Sequence, residues 1–115
     1  MNLRAILPPL WLLAICILSV VPIPKDGGVS AILDLGHIGV YMILAFLWGF
    51  FFEDRGRHIL TSVICIPLTE FLQLFTPWRE ATIIDLANNT LGIILGLLAF
   101  TLITKIIQVR VNRKP

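Results

Sequence analysis

Residues 83–107 read IIDLANNTLGIILGLLAFTLITKII. One acid, Asp85, stands near the start, one base, Lys105, stands near the end, and the positions between are almost all apolar or small. A helix needs about 20 residues to cross a hydrocarbon layer about 30 Å thick, and this stretch exceeds that length. In lipid the backbone must satisfy its own hydrogen bonds, so helix is the conformation such a stretch takes. Three further apolar runs, 6–21, 32–52 and 59–75, precede it. The second is long enough alone, and the first and third become so with their flanks. Helices are therefore expected over 5–22, 32–52, 57–75 and 82–108. The fold class that follows is all-α: a polytopic membrane protein, a four-helix transmembrane bundle, forming a single domain over residues 1–115.

Composition agrees. The chain is 57% hydrophobic and 14% charged, with a mean hydropathy of +0.93. Soluble domains carry about 25% charged residues, so this chain lacks the polar surface to cover a water-soluble fold. No basic cluster marks a nucleic-acid footprint. Cys16 and Cys65 each sit inside an apolar run and read as small packing residues, not as a disulfide or a metal site. Pro8 and Pro9 fit a helix start, and Pro22 and Pro24 a helix end. Pro67 lies inside the third run and should kink it, freeing the Val63 carbonyl. No small-residue cleavage site follows the first run, which is read as a retained helix.

Orientation follows from lysine and arginine. With four crossings, both termini and the middle loop share one side. That side holds Arg4, Arg55, Arg57, Lys105, Arg110, Arg113 and Lys114, and the other holds Lys25 and Arg79. The expectation is a bacterial inner membrane protein with both termini cytoplasmic and with 22–31 and 76–81 as outward loops.

Against that background the polar residues are unevenly spread. Asp34, His37 and Tyr41 share a face at the outward end of the second helix. Glu70 and Gln73, three apart, close the third. Arg79 follows in the outward loop, and Asp85 and Asn89 open the fourth helix one turn apart. Three segments thus bring Asp34, His37, Glu70, Gln73, Arg79, Asp85 and Asn89 to one depth. Such groups are expensive in lipid and face a bundle interior or a wet cavity. Each also has a plain structural reading. Asp34 and Asp85 suit helix N-termini, Arg79 suits an ion pair with Glu70 or Asp85, and Gln73, Asn88 and Asn89 suit interhelical hydrogen bonds. Two groups would suffice as glue, and seven point to a site. Gly92 and Gly96 form a G-x-x-x-G in phase with Asp85 and Asn89, so that face should pack closely on another helix, within the chain or in a homo-oligomer. Gly36, Gly39, Ala45 and Gly49 are candidates for the same task on the second helix. His58, beside Glu53 and Asp54, reads as a solvated interface residue without a role.

The segments DLGHIGVY, EFLQLFTPWR and DLANNTLGIILG resemble the VanZ-like family of small bacterial membrane proteins. His37, Glu70, Gln73, Pro77, Arg79, Asp85, Asn89 and Gly92 match its pattern in order and spacing. The match runs from about Asp34 to Gly96. Trp78 departs from it where a small residue is typical, as does Leu35 where a lysine would follow Asp34. The resemblance implies a cell-envelope protein connected with susceptibility to teicoplanin-type glycopeptide antibiotics.

Three functions are then open. In the favoured one, Arg79 with His37 binds an anionic group at the outer membrane boundary, a lipid phosphate or a lipid-linked cell-wall precursor, and Glu70 and Asp85 orient the arginine. In the second, the same residues form a membrane-embedded enzyme with His37 or Glu70 as acid or base and Arg79 stabilising developing charge. In the third, the chain is a ligand-free assembly subunit. Membrane lipids are the expected partners. No cofactor is implied, no nucleic acid, and no recognised metal-ligand spacing.

Overall fold

The computed structural model describes residues 2–21, 27–77 and 83–113, with the backbone alone for residues 27–34. Every element among them is helical: α1 (Leu3–Val20), α2 (Gly27–Phe51), α3 (Arg55–Cys65), α4 (Leu68–Gln73) and α5 (Ile83–Arg113). Two of these, α1 and α5, are long and apolar enough to cross a membrane.

Local chemistry explains the boundaries, and several differ from expectation. α1 starts at Leu3 because the Asn2 side chain accepts from the Arg4 amide at 3.1 Å, a capping bond that satisfies an orphan donor. Pro8 and Pro9 therefore lie inside the helix and not at its start. α2 begins at Gly27, so residues 27–31 are helix and not loop, and Asp34 stands two turns in rather than at an N-terminus. Asp54 caps α3 by accepting from the Arg57 amide at 3.1 Å. The expected third helix, 57–75, is two pieces. Pro67 cannot donate to the Val63 carbonyl; the Ile66 amide takes that carbonyl in a tighter turn at 3.1 Å, and the Phe71 amide bonds Pro67 O at 2.9 Å to start α4. α5 runs past 108 to Arg113, where Arg110 and Arg113 in its last turn suit the negative end of the helix.

Contacts fix the directions. Trp11 Nε1 donates to Val40 O at 2.9 Å, and Arg4 lines the same groove as Phe52 and Glu53, so α1 runs antiparallel to α2. His37 faces Asp85, whereas Gly49 faces Phe100, so α2 and α5 run parallel. His58 meets Ala45 and Thr69 meets Tyr41, so α3 and α4 return between them. The result is an elongated body, 59 × 29 × 24 Å. Its core is Ile15, Tyr41, Leu44, Ala45, Trp48, Cys65 and Ile93, with Cys65 a free packing thiol.

The helices are inside out by the standard of a soluble bundle. α4 buries Thr69, Glu70 and Gln73 while Phe71, Leu74 and Phe75 are 56–74% exposed. α5 buries Asp85, Asn89, Gly92, Ile93 and Gly96 and exposes Ile83, Ile84, Leu91, Ile94, Leu98 and Leu102. Water would penalise that arrangement, and hydrocarbon favours it.

His58 corrects the expectation of a solvated residue. It is buried on α3, its Nε2–H donates to Ala45 O at 2.8 Å, and its ring meets Phe100 edge-on at 5.0 Å. Its neighbours in sequence are charged, but the helix turns it inward. Replacing His58 with Ala removes the bond and leaves a cavity, so unfolding of the detergent-solubilised protein should become easier by about 2 kcal/mol. A thermal melt indistinguishable from wild type would refute this role.

Candidate functional site

The end of the bundle where α5 begins carries five of the seven expected polar residues, His37, Glu70, Gln73, Asp85 and Asn89. Asp85 is in the first turn of α5, where a negative charge is favoured by the helix dipole. Across from it on α2, His37 Nδ1 lies 3.9 Å from Asp85 Oδ1, with side-chain exposures of 21% for the histidine and 10% for the aspartate. The pair is therefore close enough to interact and still open on the histidine side.

One turn deeper is a knot of neutral groups. The Tyr41 hydroxyl hydrogen-bonds the Thr69 hydroxyl. Asn89 Nδ2 donates to Thr69 Oγ1 and to Ile66 O, each at 3.4 Å. Tyr41 and Asn89 are almost wholly buried and Thr69 nearly so. The sequence explains the meeting point. The break at Pro67 leaves Ile66 O facing inward at the end of α3, and an amide one turn below Asp85 on α5 reaches it. α2, α3–α4 and α5 are thus joined at one level by side chains that carry no charge.

The expected residues divide accordingly. His37 and Asp85 come together. Asn89 joins the knot and acts there as an interhelical tie. Glu70 and Gln73 are buried on α4. Asp34 has its backbone in α2, but its side chain, like the whole of Arg79, lies outside the described residues. Thr69 was not singled out by sequence, because a threonine beside Glu70 in an apolar run carries no charge to draw notice. Its position four residues before Gln73 was the available signal.

The glycines act as expected on α5 and differently on α2. A Cβ at Gly92 would lie 2.5 Å from Ile38 O and 2.8 Å from Tyr41 Cβ. One at Gly96 would strike Met42 O and lie 2.7 Å from Ala45 Cβ. The G-x-x-x-G is therefore occupied within the chain, by α2. Ala45 and Gly49 pack against α5, Gly49 under the Phe100 ring. Gly36 and Gly39 have open space beside them among the described residues.

This arrangement can hold a small polar group at the open side of His37. The histidine turns Nδ1 toward Asp85, at 3.9 Å without a hydrogen bond between them, and its two ring nitrogens are the groups a ligand could meet there. Among the described residues no three of His, Cys, Asp and Glu converge as metal ligands would.

A family model described as VanZ/LLP1 matches residues 10–104. The chain belongs to the VanZ/LLP1 family. The matched stretch includes α2, α3 and α4 entire, most of α1 and α5 as far as Thr104, hence both the His37–Asp85 pair and the knot beneath it. No curated protein and no solved structure matches the chain.

Proposed function

We propose that this VanZ/LLP1 protein is a multi-pass protein of the bacterial cell membrane, with both termini cytoplasmic, that binds an anionic group at the outer membrane boundary. The group is a lipid phosphate or a lipid-linked cell-wall precursor, and its capture alters susceptibility to teicoplanin-type glycopeptides. The observation that carries this reading is the His37–Asp85 pair, at 3.9 Å, partly open and set above a closed neutral knot that keeps it from the core. Arg79, four residues ahead of Ile83 in the sequence, supplies the bidentate cation for phosphate in this reading. In this reading Asp85 and Glu70 hold and orient the arginine. The membrane setting is supported by apolar faces turned outward over polar interiors, and the orientation by the lysine and arginine bias of the sequence.

The test uses cells carrying His37→Ala or Arg79→Ala, with membrane abundance read beside teicoplanin susceptibility. Losing a charge-assisted hydrogen bond, about 1.5–3 kcal/mol, should weaken ligand capture about tenfold or more. Protein levels should hold while the effect on susceptibility disappears. Abundance that falls in step with activity would mean an assembly role and defeat the binding reading. Topology is checked by cysteines at 25 and 113, which should label from opposite sides of the membrane.

A second reading has its own observation. A histidine beside a carboxylate, here at 3.9 Å, is a pairing a general base can use, so an enzyme acting on a lipid-linked phosphate is the runner-up. It requires product turnover by the purified protein, lost in His37→Ala and in Glu70→Ala.

A further inference from the structure

The opposite end of the bundle holds a groove of about 650 Å³ that the polar site does not use. Its apolar lining includes Phe50, Phe52, Ile94, Leu97, Leu98 and Phe100. Its polar lining is Arg4, Glu53, Arg55, His58, Thr101 and Thr104. It therefore lies where α1 begins, where α2 passes into α3, and along the middle of α5. At 1.5 Å per residue it is roughly 20 Å down α2 from His37, so the two sites are separate. From Ile94 to Thr104 it follows α5 for roughly 15 Å, about half the hydrocarbon thickness of a bilayer. Volumes of roughly 300–1,000 Å³ are those of small-molecule sites.

The hydrogen-bonding inventory fixes the charge of the occupant. Thr101 donates to Leu97 O at 2.9 Å, and Thr104 lies within bonding distance of Phe100 O and Thr101 O, so both hydroxyl protons are spent on the helix backbone. Arg55 Nη2 reaches Thr101 Oγ1 at 3.5 Å, which leaves it at the groove with most of its donors without a partner among the described residues. Neither Arg4 nor Arg55 forms an ion pair among the described residues. A guanidinium carries five N–H donors and no acceptor. Two guanidiniums against the single carboxylate of Glu53 leave the polar end short of acceptors and net positive. The neighbouring stretch is a line of aromatic and aliphatic side chains.

We infer that this groove binds an anionic phospholipid of the leaflet at that end, its phosphate between Arg4 and Arg55 and one acyl chain along Phe50, Ile94, Leu97 and Leu98. Charge complementarity selects the headgroup, and the apolar length selects an acyl chain over a free ion. His58 shapes the inner wall through its bond to Ala45 O and its contact with Phe100.

The experiment takes the full-length protein in nanodiscs holding equal amounts of phosphatidylglycerol and phosphatidylcholine. Retained lipid is read by native mass spectrometry. The wild type should keep phosphatidylglycerol over phosphatidylcholine by about tenfold, as charge-assisted bonds to two arginines imply. Arg4→Gln with Arg55→Gln should bring the two lipids near parity at an unchanged melting temperature. Arg110→Gln with Arg113→Gln, which alters basic residues outside the groove, should leave the preference intact. Leu98→Trp, at a 54% exposed position, should fill the groove and reduce retention of both lipids. Parity in the wild type, a preference that survives the first pair, or one lost equally in the second pair would overturn the inference. So would undiminished retention in Leu98→Trp.

Discussion

Replacing Gly96 with leucine should abolish the fold. α2 and α5 run side by side, and at Gly96 the α5 backbone rests on the Met42 carbonyl and the Ala45 methyl. The obstacle to a larger residue is main chain, which has no rotamer to give. Even one methyl must push the helices apart. Overpacking of that kind costs about 1–3 kcal/mol, and the gain in helix propensity from Gly to Ala, up to about 1 kcal/mol, only partly offsets it. Gly96→Ala should therefore lower the unfolding free energy by about 1–2 kcal/mol. Gly96→Leu, with four carbons to place, should pass the range of about 4–5 kcal/mol that few small proteins survive. The measurement is thermal unfolding in detergent, followed by helical circular dichroism.

Gly39 supplies the internal comparison. It is on the same helix pair, yet among the described residues a Cβ built there meets nothing within 4 Å beyond its own turns of helix. Gly39→Ala should cost nothing and gain up to about 1 kcal/mol from reduced backbone freedom. Equal losses at 39 and 96 would show that glycine matters here for helix flexibility. A loss confined to 96, and to 92 where Ile38 O takes the same part, would show that it matters for close approach.

That distinction shows what the sequence could carry. The spacing of Gly92 and Gly96, in phase with Asp85 and Asn89, announced a tightly packed face, because helical phase is a property of one segment. It could not name the partner, and a homo-oligomer was as open as α2. On α2 the spacing of Gly36, Gly39, Ala45 and Gly49 gave the same signal, and of the four Ala45 and Gly49 are packed against α5, since phase does not fix which turns a neighbour covers. The apolar runs located the helices, while Asn2, Asp54 and the Pro67 break set their ends through single hydrogen bonds. Charge in the neighbouring sequence misplaced His58: Asp54 and Arg57 face solvent, and the helical step of about 100° from Arg57 to the next residue carries the ring to Ala45. The convergence of His37 and Asp85 was legible because both mark the same end of parallel helices. Thr69 was not, being uncharged and paired across elements, with Tyr41 28 residues before it and Asn89 20 residues after it in sequence.

The knot below that pair gives the second large effect. Asn89→Leu keeps a similar volume on a fully buried position and removes the one side-chain donor that serves both Ile66 O and Thr69 Oγ1. Interhelical hydrogen bonds in membranes average only about 0.6 kcal/mol, because the separated helices find other partners. Asn89 should exceed that average. The carbonyl it reaches sits at the Pro67 break, and burial denies that oxygen a replacement. A buried polar group left unpaired costs about 1–3 kcal/mol, so a loss of about 2 kcal/mol is expected. Tyr41→Phe, which removes the other partner of Thr69, should cost less, because the threonine can still accept from Asn89. The double substitution should then depart from the sum by at least about 0.5 kcal/mol, as residues sharing a partner do. Unfolding free energies of the four proteins in one detergent decide it. Strict additivity would mean that Thr69 does not link the two, and that α2, α3–α4 and α5 are held together at this level by apolar packing alone.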